Sequence, residues 1–240
     1  MRRVLVLASL IVLTKGAPAN GAPQTPPAAR VVDRIVERIE GDIILQSQVR
    51  ELGAFQQLIE GHAESDDKLL AELTEQWMVQ TEAAESHFPL PAKSEVDREL
   101  ARLTEQFATP EAYSSSLHDL GLYSGEVRDL LARQIYIERY LDYKFRPSVQ
   151  IEPSDIDAYY QKELLPELEK KNQPAPERAD VEEQIREVLV QRGISDLTAK
   201  WLDETRSRLK IEPAPPVVKG DLRGDVKANV KPAPGGEAKP

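Results

Sequence analysis

The chain has no cysteine, so disulfides, a thiol nucleophile and a lipid-modified cysteine are all excluded. Histidine is nearly as scarce. His62, His87 and His118 lie far apart, and none stands in a metal-ligand spacing such as H-E-x-x-H. They read as surface or helix-end residues. No G-x-x-x-x-G-K-[ST] segment is present to cradle a phosphate. Methionine occurs only twice, once as Met1, which rules out a methionine-rich adaptable surface as a route to promiscuous binding. Catalysis therefore has no visible home, no metal or cofactor is called for, and stability rests on packing.

Long apolar runs are also missing. The longest begins the chain: Met1–Arg3 is basic, Val4–Leu13 apolar, and Ala17-Pro18-Ala19 is a small-residue cleavage pattern. Residues 1–19 read as a secretory signal peptide, because a spanning helix needs about 20 apolar residues. The mature chain is accordingly expected to be exported, soluble and without stable membrane insertion. Acidic residues outnumber basic ones, 41 to 31, for a net charge of −10. Removing Arg2, Arg3 and Lys15 with the leader takes it to −13. Such a surface repels phosphate backbones, so nucleic acid is not an expected partner. Acidic pairs such as Asp66-Asp67 and Glu182-Glu183 read as helix N-terminal charges.

What is present is organised around helices. Residues 20–30 are small and proline-rich, a flexible leader. Residues 212–240 carry six prolines, four glycines and no aromatic residue, and are expected to stay disordered. Arg223-Gly224-Asp225 in that tail is a chance match to an adhesion tripeptide. The folded part is 31–211. It opens with two short strands, Val31–Val36 and Asp42–Ile44, around a Glu40-Gly41-Asp42 turn.

Ser47 and Ser65 then cap two helices, the first carrying Val49, Leu52, Phe55 and Ile59 on one face. Pro89 and Pro91 break the chain before a third helix capped by Ser94 with Asp97. Thr109-Pro110 opens a fourth helix to about Leu117, and Ser124 a fifth to about Phe145. A sixth starts near Ser154 and nears its end at Pro166; a loop covers 170–178. The last helical region, Ala179–Arg208, carries a break at Gly193, and Leu209–Ile211 suits a closing strand.

The order of these elements resembles the N-terminal domain of the SurA family of periplasmic chaperones. The matching residues are Val31–Val36, Asp42-Ile43-Ile44 leading to Ser47, Ser94-Glu95-Val96-Asp97, Pro153–Tyr160, and Trp201-Leu202 followed by Arg206, Leu209 and Ile211. The resemblance implies a mainly α domain with a small β element formed by the N-terminal strands and a C-terminal strand. It also implies ATP-independent holding of unfolded outer-membrane proteins or other exported polypeptides. Two departures stand out. Glu40-Gly41-Asp42 replaces the family's usual Asn-bearing turn, and residues 166–178 stand where relatives carry parvulin-type prolyl isomerase domains. No isomerase fits there, so prolyl isomerase activity is not expected. An envelope assembly or scaffold protein, and an unusual prolyl isomerase, are the alternatives, and a second copy of the chain is a further candidate partner.

Apolar surface is then the candidate for function. On the fifth helix Val127, Leu130, Leu131, Ile135, Ile137 and Leu141 cover one face, and Tyr136, Tyr140 and Tyr143 fall opposite. The tyrosines either pack against the closing helix or line a groove for unfolded chains, giving apolar contact and a hydroxyl. Trp77, Phe107, Tyr113, Leu120 and Leu122 pose the same choice between core and client-binding groove.

Overall fold

The chain reverses direction at Glu40 and Gly41, both held at positive φ (49° and 103°), the geometry that joins two strands through two residues. A computed structural model describes residues 33–214. The expected signal peptide, the 20–30 leader, Val31 and Val32, and residues 215–240 lie outside the described residues.

The turn joins β1 (Ile35–Ile39) to β2 (Asp42–Leu45), with Ile39 opposite Asp42 and Arg38 opposite Ile43. Of the expected Val31–Val36 strand, Asp33 and Arg34 lie outside β1, which instead runs on past Val36 to Ile39. β3 (Ile211–Pro213) pairs antiparallel with β1, giving a three-stranded sheet in the order β2-β1-β3. Glu40 does two jobs here. Its N–H donates to the Lys210 carbonyl (3.1 Å) and its carboxylate accepts from the Lys210 N–H (2.6 Å), so the strained turn residue also anchors the closing strand. Pro213 is tolerated because it sits on an edge strand. Glu212 and Pro213 therefore belong to the sheet and not to the expected tail.

The remainder is helical, so the chain is mainly α with a small three-stranded antiparallel sheet. α1 is Gln46–Glu60, α2 Asp66–Glu85, α3 Lys93–Glu105, α4 Pro110–Leu120 and α5 Ser124–Phe145. Several boundaries follow local chemistry. Thr109 Oγ1 accepts from the Ala112 N–H (3.1 Å), with Pro110 at the first helical position. Two expected serine caps act otherwise. Ser47 lies inside α1, where its N–H and hydroxyl both donate to Asp33, and Gln48 Oε1 caps the helix by accepting from the Leu45 N–H (2.8 Å). At α3, the Glu95 carboxylate accepts from the Ala92 N–H (2.7 Å), two residues ahead of the expected Ser94–Asp97 pattern.

α6 (Pro153–Tyr159) runs through a π-helical segment, Tyr160–Leu164, into α7 (Leu165–Lys170). The Leu165 N–H donates to the Tyr160 carbonyl, and this wider turn lets the chain continue past Pro166, which has no N–H. Pro166 thus starts α7 and does not end the helical stretch.

α8 (Arg178–Arg206) is a single helix across the break expected at Gly193. Gly193 is explained by packing: a Cβ there would meet Val149 Cγ1 at 2.7 Å. The glycine costs helix propensity but lets the 146–152 connection lie against α8. Over its length α8 buries only Ile185 and Ile194, and polar latches hold it to its neighbours. Arg146 grips Glu187 with two nitrogens (2.7 and 3.0 Å) and Asp142 with its Nε (2.8 Å). Arg192 grips Glu163 with two more (2.7 and 2.9 Å), and Arg178 pairs with Asp157.

Three apolar clusters make up the core. The sheet packs Ile39 and Ile44 onto Val49, Leu52, Leu69 and Leu73 of α1 and α2. Phe55 and Leu58 meet Val96, Leu103, Tyr113, Leu117 and the start of α5 in the second. The third joins Val79 and Ala83 to Tyr136 and Tyr140, with Trp201 and Leu202 against it. α5 enters the second and third and touches α1, α2, α3 and α8.

Two outcomes follow. Replacing an exposed helical glycine by alanine normally stabilises by about 1 kcal/mol. Gly193→Ala should instead destabilise by about 1 kcal/mol in denaturant unfolding, since overpacking costs about 1–3 kcal/mol. A Val149→Ala background should remove that penalty. The second outcome concerns acid. The Arg146 guanidinium, then Gln191, hold the Glu187 carboxyl below its ordinary 4.5, at about 2. A lowered folded-state value stabilises above the unfolded pKa and is lost as pH falls through the folded one. The difference in thermal midpoint between the parent and Glu187→Gln should hold from neutral pH to 4.5 and close between 4.5 and 2.

Candidate functional site

The eight residues expected to line a groove do not converge on one surface. Tyr136 and Tyr140 are 7% and 3% exposed and lie in the core between α2 and α5. Phe88, from the α2–α3 connection, packs its ring 5.8 and 5.3 Å from theirs, and the Tyr136 hydroxyl donates to the Phe88 carbonyl (3.3 Å). As groove residues they are corrected: α2 and Phe88 cover the tyrosine face of α5. Tyr113 and Leu122 are likewise buried in the second cluster, with burial pushing the Tyr113 phenol up. Trp77 is half-buried and structural, its Nε1 donating to Asp42 (2.9 Å) and so tying α2 to the hairpin. Phe107 and Leu120 are half-buried at the rim of that cluster, Phe107 edge-on to Tyr113 at 5.2 Å. Tyr143 alone is largely exposed, at 65%, its ring 5.3 Å from Phe88.

The cleft with the most convergent lining lies elsewhere, among α1, α2, α5 and α8, and measures about 330 Å³. Its floor is apolar: Leu52, Phe55 and Ile59 from α1, Val79 from α2, Leu130, Ile137 and Leu141 from α5, and Leu202 from α8. A depression of about 350 Å³ between α5 and α8 shares Glu138, Leu141, Thr198 and Leu202 with it and adds Ile194 and Ala199. The two form one groove along α5 and α8. Sequence spacing had placed Ile137, Leu141 and Leu202 on core stripes, and they are half-buried there, covered on one side only.

One wall of the cleft is polar and built on Glu72. Its carboxylate accepts from Gln56 Nε2 (2.8 Å) and Gln76 Nε2 (3.0 Å), while Gln56 Oε1 accepts from the Glu64 N–H (3.1 Å). Burial pushes the Glu72 carboxyl above its ordinary value, Glu75 and Glu60 push the same way, and the two amide bonds oppose them. Gln76 Oε1 and Thr198 Oγ1, both in lining residues, are buried without a hydrogen-bond partner. On α5 Gln134 Nε2 donates to Glu138 (3.0 Å), and on α2 Glu75 accepts from Arg206 (3.2 Å).

An apolar floor with a polar wall suits reversible binding of an apolar chain segment. Among the described residues no group of three or more His, Cys, Asp or Glu is placed to hold a metal ion, and no helix is long and apolar enough to cross a membrane. His62, His87 and His118 are all exposed. The groove escaped sequence reasoning because Gln56, Glu72 and Gln76 look like ordinary solvated helix residues until α1 and α2 bring them together.

Burial separates the tyrosines experimentally. Tyr140→Ala should cost about 3–5 kcal/mol of unfolding free energy, as for other large-to-small core changes, whereas Tyr143→Ala should stay within about 1 kcal/mol. Thermal and denaturant unfolding of the two variants measures this. No protein-family model matches this chain, and no curated protein matches it.

Proposed function

We propose that this protein is an ATP-independent periplasmic chaperone with a scaffold of the SurA N-terminal type, which shields apolar segments of unfolded outer-membrane proteins. The observation that carries this reading is the groove over α5 and α8, with its half-buried apolar floor and polar wall. Burying a large apolar side chain yields about 1.5–3 kcal/mol. Two or three such anchors per client segment, set against the cost of association, give weak contacts that release without a nucleotide cycle.

The strand order also favours this reading: the resemblance implies a closing strand that returns to the N-terminal strands, and β3 pairs with β1. Residues 166–178, which hold most of α7 and its short connection to α8, stand where members of that family commonly carry an isomerase domain. The proposal is therefore holding without isomerisation.

The mature protein should slow aggregation of a urea-diluted outer-membrane β-barrel at near-stoichiometric ratio, followed by light scattering. Ile137→Asp, at the groove floor, should lose most of that effect while circular dichroism shows an unchanged helical content. No suppression by the parent protein would refute the proposal, and full suppression by a folded Ile137→Asp would remove the groove from it.

A further inference from the structure

The groove is not electrically neutral. Glu60, Glu72, Glu75 and Glu138 line the cleft against a single guanidinium, Arg133. Outside the cleft several acidic side chains have cationic partners: Asp97 has Lys93 and Arg128, Glu163 has Arg192, and Glu187 has Arg146. Within the cleft Glu75 meets Arg206 (3.2 Å) and Glu60 lies 3.6 Å from His62, but Glu72 and Glu138 make their side-chain bonds to amides alone. The charge of Arg133 is felt at Glu51, a residue that does not line the cleft.

The uncharged polar atoms point to the same ligand chemistry. Gln76 Oε1 is an acceptor without a donor, and Thr198 Oγ1 is a buried hydroxyl without a partner. A half-buried carboxylate surrounded by like charge and unpaired acceptors is relieved by a group that brings positive charge and several N–H donors, which describes an ammonium or a guanidinium. An acidic or phosphorylated segment would add to the repulsion.

We infer that the groove selects segments in which large apolar residues are interspersed with lysine or arginine, the apolar side chains lying on the α5–α8 floor and a basic head reaching Glu72 and Glu138. This rests on the reading of the groove as a client site and adds a charge preference to it. The stem of lysine or arginine is itself apolar, so one side chain satisfies both floor and wall.

The test uses three labelled peptides of identical length and identical leucine and phenylalanine positions, with intervening residues all lysine, all glutamine or all glutamate. Fluorescence anisotropy against the mature protein should rank them lysine, glutamine, glutamate, the first two separated by about tenfold, as one charge-assisted contact allows. In Glu72→Gln/Glu138→Gln the ratio of lysine-peptide to glutamine-peptide affinity should fall to about one. Glu85→Gln/Glu105→Gln, exposed and outside the groove, removes the same charge and should keep the full preference. Equal binding of lysine and glutamine peptides, or a preference that survives in Glu72→Gln/Glu138→Gln, would overturn the inference and leave the client site standing. Failure of all three peptides to bind would overturn both.

Discussion

The return of β3 to the first strand determines where α8 lies, and the groove depends on α8. Ile185 and Ile194 are too little buried apolar surface to hold a 29-residue helix in place. Its C-terminal end is set by backbone pairing of Ile211–Pro213 with β1 and by the two bonds between Glu40 and Lys210. Its N-terminal half is set by the arginine latches to Glu187, Glu163 and Asp157. A helix held at its end by a strand and along its length by ion pairs need not press its whole face onto the core. That is why half-buried Leu141 and Leu202 line an open groove between α5 and α8 and not a closed interior.

α5 makes this division possible. Its tyrosine face is sealed by α2 and Phe88, and its start is sealed by Val96, Leu103 and Leu117 of α3 and α4. Only the Ile137–Leu141 side, facing α8, remains partly covered. Dense packing and partly open surface are thereby placed on different faces of one helix: the aromatic packing is structural, and Ile137 and Leu141 beside the Glu72 wall are only half-covered. A carboxylate at the edge of an apolar floor is costly to desolvate, and its position there, bonded to amides with no cation, is what gives the groove its charge character.

Much of the backbone was legible in the residues. The Glu40-Gly41 turn, the Thr109-Pro110 start and the span of α5 all follow from chemistry within a few positions of the chain. Several of the misreadings share one cause. Gly193 looks like a break until Val149 is seen to occupy the space beside it, and Pro166 looks like a helix end until the π-turn widens ahead of it. Ser47 looks like a cap until Asp33 takes its hydroxyl. The tyrosines look like a binding stripe until Phe88 folds over them. For Gly193, Ser47 and the tyrosines the deciding partner lies beyond the reach of one helical turn.

The sequence by itself determined a mainly helical chain, a two-residue hairpin at its start and a short strand at its end, because propensity, capping and turn geometry act between near neighbours. Tertiary structure alone decided which apolar face was sealed, that α8 runs unbroken, and that Gln56, Glu72, Gln76 and Thr198 share one cleft. Burial and desolvation depend on which distant residues meet, and no local pattern encodes that.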